Sequence, residues 1–255
     1  MTDEAATPSK RNIEAESRQT HDTIDPFFAP KHSRPSIARR SPNPLVELPV
    51  SVDQALDGVE LVIVSHLHSD HFDPLAQSLV PKDMPIVCQP ADDSKIRSFG
   101  FEEVTPLHNQ LDWRDVKLTR REGRHGFGPV VEKMGPVMGF SIEVEGEPRL
   151  YWTGDTVLYP PVEETIRSTD PDIIVIHPSG ARWEGSSIAM DAEQAATLCK
   201  TFPRPIVVAT HLEALDHATV TRDHLRQFTL SQGIAAERLL IPRDGELLYL
   251  DVPAR

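Results

Sequence analysis

The run Leu61-Val62-Ile63-Val64-Ser65 passes without a break into His66-Leu67-His68-Ser69-Asp70-His71, and this junction constrains the fold more than any other part of the chain. An apolar run of this length suits a strand buried on both faces, as in layered α/β or α+β domains. The polar cluster then falls at the strand's end, on the rim of the sheet. Histidines two apart on an extended loop project to one side and can share a metal, while the next aspartate and histidine can turn toward a second. Imidazole and carboxylate together suit zinc and related borderline divalent ions.

The same grammar, an apolar run and then a ligand-type residue, recurs further on. Arg149-Leu150-Tyr151-Trp152-Thr153-Gly154 leads into Asp155, and Pro205-Ile206-Val207-Val208-Ala209-Thr210 leads into His211. His125 sits in Glu122-Gly123-Arg124-His125-Gly126-Phe127-Gly128, where glycines let backbone approach a metal closely. Taken singly, Asp155 reads as a turn residue and His125 or His211 as an ordinary partly buried histidine. Their order and position after the hexapeptide make them candidate ligands.

Around these points the chain alternates β-rich runs with amphipathic segments. Strands are expected at 61–65, 86–89, 116–120, 137–144, 149–153, 173–177, 206–210 and 246–251. Helices are expected at 74–79, where Asp73-Pro74 supplies a cap and a first-turn proline, and at 161–168, 191–202 and 221–232. Residues 1–23 are polar and without period and read as a disordered tail. Ile24 to Pro30 is the first apolar segment, and 31–49, rich in Pro, Ser and Arg, reads as a long surface loop. One domain over 24–255 is the simplest parse.

Composition narrows the functional classes. The 255 residues are 39% hydrophobic, enough for a sizeable core, and Lys+Arg 26 against Asp+Glu 39 gives 26 − 39 = −13. That field repels phosphate backbones and anionic lipid, so neither nucleic acid nor membrane is the expected partner, whereas a small molecule is. Self-association is compatible with this composition. Two cysteines, Cys88 and Cys199, are too few for a disulfide framework. With no membrane-length apolar run and no secretory stretch in residues 1–22, a cytoplasmic setting is expected.

With the hexapeptide, His125, Asp155 and His211 in this order, the sequence resembles the metallo-β-lactamase superfamily. The resemblance runs from about Ile24 to the C-terminus and implies an α+β domain, a four-layer αββα sandwich with a dinuclear site along one edge. It implies that His66, His68 and His125 hold one metal ion, that Asp70, His71 and His211 hold the other, and that Asp155 bridges them. Gly154-Asp155-Thr156, Ser179-Gly180-Ala181, Met190-Asp191-Ala192-Glu193 and the stretch from His211 to His217 are similar to the L-ascorbate-6-phosphate lactonase-like branch. Two features depart from the pattern. The N-terminal stretch does not read as strands, which implies either a shortened edge of the first sheet or an edge filled by the tail itself, and His177, closing Asp172-Ile173-Ile174-Val175-Ile176, is a histidine that the seven-ligand pattern does not require.

The chemistry so implied is hydrolysis. Two divalent ions, zinc first with manganese or iron(II) as substitutes, hold a bridging hydroxide that attacks a lactone, a phosphodiester or another ester-like bond of a small molecule. Asp70 is the candidate catalytic residue, and His177, Arg182 and His217 are candidate substrate contacts, Arg182 through bidentate binding of an anionic group. No Gly-x-Ser-x-Gly elbow competes. A mononuclear-iron oxidoreductase on the same scaffold and a noncatalytic metal-binding protein are the alternatives. His68, where a diiron oxidase would need a carboxylate, weighs against a diiron oxidase.

Overall fold

The computed structural model describes residues 21–250 and 252. Its elements, in chain order, begin with β1 (His21–Ile24), α1 (Val52–Leu56), β2 (Val59–Val64), α2 (Pro74–Leu79), β3 (Ile86–Cys88), α3 (Asp93–Ser98) and β4 (Val104–Pro106). There follow β5 (Gln110–Trp113), β6 (Val116–Glu122), α4 (Val130–Met134), β7 (Met138–Val144), β8 (Leu150–Trp152), α5 (Pro160–Thr169) and β9 (Ile173–Ile176). The chain continues through β10 (Arg182–Trp183), β11 (Ser186–Ser187), α6 (Ala192–Thr201), β12 (Ile206–Ala209), α7 (Arg222–Ser231) and β13 (Leu239–Leu240).

Two sheets stack face to face. The first is parallel throughout, in the order β1-β2-β3-β4. The second has seven strands, β13-β12-β9-β8-β7-β6-β5, parallel from β13 to β8 and antiparallel from there on. Side-chain alternation explains why β2 reads as continuously apolar. Leu61 and Ile63 point between the sheets, where they meet Val116, Leu118, Met138 and Phe140, while Val62 and Val64 point outward to Phe72, Ala76 and Ile96 under α2 and α3. These four residues of β2 are fully buried. The other outer layer is α5, α6 and α7, whose Val162, Ile166, Leu198 and Leu225 pack on Tyr151, Ile174, Ile176 and Val207. The αββα sandwich is therefore present as expected.

Caps set the helix starts. Asp73 accepts from Leu75 N at 3.0 Å and Ala76 N at 3.2 Å, and also from Phe28 N at 2.8 Å, so one carboxylate starts α2 and pins the N-terminal segment over it. Asp191 caps α6 through Gln194 N at 2.9 Å, and Thr221 caps α7 through His224 N at 3.1 Å.

Two expectations change at the ends. β1 takes in His21, Asp22 and Thr23, which the sequence pattern assigned to the tail; the rest of that segment, residues 1–20, lies outside the described residues. This four-residue edge strand runs parallel to β2 and supplies the edge the sequence left open, with Ile24 packing between the sheets. The stretch 246–250 has the alternation of a strand, Leu247 and Tyr249 outward and Leu248 and Leu250 inward, yet it joins no ladder. Leu239–Leu240 takes the place beside β12, and the later segment lies across Ile173, Val175 and Val208. Among the described residues no helix is long and apolar enough to cross a membrane.

Candidate metal centre

Five strands deliver their ends to one rim. β2 runs into Ser65 and His66, β6 into His125, β8 into Asp155, β9 into His177 and β12 into His211. The turn after β8 needs glycine: Gly154 has φ +65°, and a Cβ there would stand 2.7 Å from the Met138 carbonyl oxygen. At His125 the neighbouring glycine serves packing instead of metal approach. A Cβ on Gly126 would lie 2.6 Å from Val130 and 3.1 Å from the Ser187 carbonyl.

The expected ligands gather in two groups, His66, His68 and His125 in one and Asp70, His71, Asp155 and His211 in the other, and within each group the donor atoms all lie within 4.8 Å of one another. Asp155 joins the two. Its Oδ2 is 3.3 Å from His71 Nε2 and 3.6 Å from His125 Nε2. His211 Nε2 lies 3.1 Å from His71 Nε2 and 3.3 Å from Asp70 Oδ2.

Supporting partners fix which ring nitrogen faces inward. His125 Nδ1 donates to the Ile188 carbonyl at 2.6 Å, and His71 Nδ1 donates to Asp25 Oδ2 at 2.9 Å. Ser65 Oγ donates to the same Asp25 oxygen at 2.6 Å and stands 3.1 Å from His66 Nδ1, so Asp25 steadies both a first-group and a second-group imidazole. Ser65 N adds a bond to Asp25 Oδ1 at 2.7 Å. The sequence reading did not single out Asp25. Its signal was the same grammar in miniature, Thr23-Ile24 and then a carboxylate.

His177, read as a candidate substrate contact, bonds through Nδ1 to Asp155 Oδ1 at 2.7 Å and orients that carboxylate. His217 is buried on the wall of a cavity that also touches His68, Asp70 and His125. Arg182 is not brought to the centre. It lies exposed on the β10–β11 hairpin, its guanidinium bonded to Ser187 Oγ at 3.1 Å and to the Gly185 carbonyl, because a two-residue strand leaves the side chain nearer its own turn than the rim.

The electrostatics suit cations. Burial opposes ionisation of Asp70, but His71 and His211 outweigh it and hold the carboxyl well below its usual range. Burial likewise works against Asp155, and His211 and His71 again prevail. Burial disfavours a charged His71, yet Asp155, Asp25 and Asp70 together raise it well above an ordinary histidine, the mark of a pocket that draws positive charge. Burial and the His71 charge push His66 down, and its Nε2 is buried without a hydrogen-bond partner. An orphaned imidazole nitrogen, grouped with the donor atoms of His68 and His125 and under the charge of Asp155, belongs to a donor set that a divalent ion would satisfy.

Fold and donor set together define the class, the metal-dependent hydrolases of the metallo-β-lactamase fold. Residues 23–212 match the family described as Beta-lactamase superfamily domain, and the chain belongs to that family, within its UPF0173 group. UPF0173 protein YddR of Bacillus subtilis (strain 168) is 36% identical over 230 residues, 88% of this chain and 90% of the relative. UPF0173 metal-dependent hydrolase MJ1163 of Methanocaldococcus jannaschii is 24% identical over 82% of this chain and 90% of its own length. Among solved structures, an isothiocyanate hydrolase from Delia radicum gut bacteria superposes with a TM-score of 0.82 at 32% identity, covering 92% of this chain and 93% of that one.

Proposed function

We propose that the protein hydrolyses a small molecule at a dinuclear centre in which His66, His68 and His125 hold one divalent ion, Asp70, His71 and His211 hold the other, and Asp155 serves both. The observation that carries this reading is the single Asp155 oxygen lying within 3.3 Å of one group and 3.6 Å of the other. Zinc suits the donors best, with manganese or iron(II) as substitutes. Ions bound there acidify a water and stabilise negative charge developing on the substrate.

The chain's own residues then have separate tasks. Asp25 and Ile188 hold the imidazoles in the tautomer that turns Nε2 inward, and His177 keeps Asp155 in line. Asp70 borders a cavity on each side of the centre, and its neighbours keep it ionised. We assign to Asp70 the transfer of the attacking water's proton to the leaving group.

A lactone, a phosphodiester or another ester-like bond offers the required electrophile. The stretches 154–156, 179–181 and 190–193 favour the lactone, and the isothiocyanate hydrolase relative adds the cumulated carbon of R–N=C=S. The net charge of −13 supports a small molecule over a nucleic acid. The test is elemental analysis followed by assay on δ-valerolactone, bis(4-nitrophenyl) phosphate and benzyl isothiocyanate. Two ions per chain are expected, with activity lost on chelation and regained with zinc or manganese. Turnover that survives full chelation would remove the proposal.

A further inference from the structure

Two cavities meet at Asp70. One, of about 260 Å³, lies beside His71 and His211 and is bounded by Phe27, Trp152 and Leu212. The other, of about 340 Å³, lies beside His68 and His125 and is bounded by Ile37, Met134, Trp183, Ile188 and His217. Its volume falls at the lower end of the roughly 300–1,000 Å³ typical of small-ligand pockets.

The walls of the larger cavity are built apart from the sandwich. Met134 and Trp183 pack with Val130, Ala181, Ile188 and Ala189 in a separate small cluster formed by α4 and the β10–β11 hairpin. The opposite wall is a loop from the N-terminal part of the chain, and one buried carboxylate holds it. Asp216 accepts from Ser36 Oγ, from the backbone amides of Ile37 at 2.9 Å, Ala38 at 3.1 Å, Arg40 at 3.1 Å and Ser41 at 3.3 Å, and from Asn43 Nδ2 at 2.9 Å. Its own amide donates to Asn43 Oδ1 at 2.8 Å. The next residue, His217, accepts the Arg182 amide on its carbonyl at 3.3 Å, so both walls are tied to one dipeptide. His217 Nδ1 is buried with no partner. Lys133, which also lines the cavity, pairs with Glu184, and Arg182 is spent within its hairpin.

We infer that this cavity receives the apolar side group of a small uncharged substrate, and that Asp216 is the positioning residue that makes it by clamping residues 36–41 against the hairpin. The inference rests on the dinuclear reading and adds the substrate's character to it. The apolar walls accept an alkyl or aryl group, and Lys133, the lining lysine, already faces Glu184.

Metal-loaded protein titrated calorimetrically with phenylmethanethiol and with mercaptoacetate tests it, both thiols being metal-seeking and differing in the side group. Phenylmethanethiol should bind at least about tenfold more tightly, a preference that Trp183→Ala and Ile37→Asp each reduce to about threefold or less. Phe27→Ala, on the other cavity, should leave it intact. Asp216→Asn should lose the preference and show faster amide exchange at Ile37 and Ala38 while keeping its metal content, a combination that general unfolding would not produce. A preference for mercaptoacetate, or one abolished by Phe27→Ala and untouched by Trp183→Ala, would overturn the inference. Intact thiol selectivity with no turnover of any substrate would instead count against the hydrolytic reading alone.

Discussion

Replacing Asp25 by asparagine separates the support of the centre from its ligands. Asp25 Oδ2 accepts from His71 Nδ1 at 2.9 Å and Ser65 Oγ at 2.6 Å, on a side chain only 7% exposed. An asparagine amide at that oxygen's place donates where the carboxylate accepted. His71 would then move its proton to Nε2, the nitrogen that faces Asp155, and an imidazole protonated there cannot ligate. The lost charge-assisted bond is worth about 1.5–3 kcal/mol. Supporting carboxylates of this kind alter metal affinity by roughly 10–100-fold, or about 1.4–2.7 kcal/mol, so the two routes to a magnitude agree. Asp25→Asn should therefore weaken the ion at Asp70, His71 and His211 by one to two orders of magnitude. The ion at His66, His68 and His125 should be affected less, since Asp25 reaches it only through Ser65. Zinc titration against a competing chelator resolves the two steps. Equal affinities for both ions in variant and parent would refute the tautomer argument.

Other substitutions probe separate parts of the molecule. His66→Ala and His211→Ala should each remove most of the activity, and elemental analysis should show each variant losing one ion rather than both; a variant with near-normal turnover at saturating zinc would displace that residue from the centre. Asp92, whose Oδ2 is buried without a partner, has its carboxyl pushed up from 3.8 to about 6 by burial, against a bond from the Leu67 backbone. The folded state thus favours the protonated form, and stability present below pH 4 is lost as pH rises through 6. The full shift is roughly 3 kcal/mol, cut by solvent at a half-buried group to about 1 kcal/mol. Asp92→Asn should raise the thermal midpoint at pH 7.5 and leave it unchanged at pH 4, and no difference between the two pH values would contradict the assignment. Arg182→Ala should leave KM for an anionic substrate within about twofold, because the guanidinium is bonded within its hairpin; a tenfold rise would return it to the pocket.

Of the seven candidate ligands that the fold gathers, His66 to His71, Asp155 and His211 were legible because each set follows an apolar run, and a strand end is where a sheet delivers side chains to its rim; His125, after the charged end of β6, was read only from its glycines and its order. His177 follows the same rule after β9, but the sequence could not say whether it faced the substrate or a ligand. The 2.7 Å contact to Asp155 assigns it to the ligand. Arg182 was chosen by residue type and order alone, and a two-residue strand carries no side-chain direction to read. β1 escaped because an edge strand that contributes only Ile24 to the space between the sheets needs no apolar alternation. Of the strand expected at 246–251, residue 251 lies outside the described residues and 246–250 forms none, for the converse reason: the alternation of Leu248 and Leu250 is real, and it records packing on a face without a ladder.

Asp25 and Asp216 were the least visible of the residues that shape the centre, and they share a physical cause. Neither belongs to a ligand pattern, and each acts by collecting donors from parts of the chain remote in sequence, Asp25 from Ser65 and His71 and Asp216 from a loop as many as 180 residues away. Spacing along the chain carries no trace of such bonds, whereas a metal-binding loop must carry its own spacing because its ligands lie within a few residues. The outcome is a division of labour by distance. Donors that must sit in a fixed mutual geometry come from the ends of core strands, where burial on both faces holds the backbone. Asp25 in the irregular N-terminal segment sets a ring tautomer and Asp216 in the loop after β12 shapes the cavity, each through a single carboxylate with several hydrogen bonds. A substitution in the first set should remove an ion, and one in the second should change how tightly an ion or a side group is held.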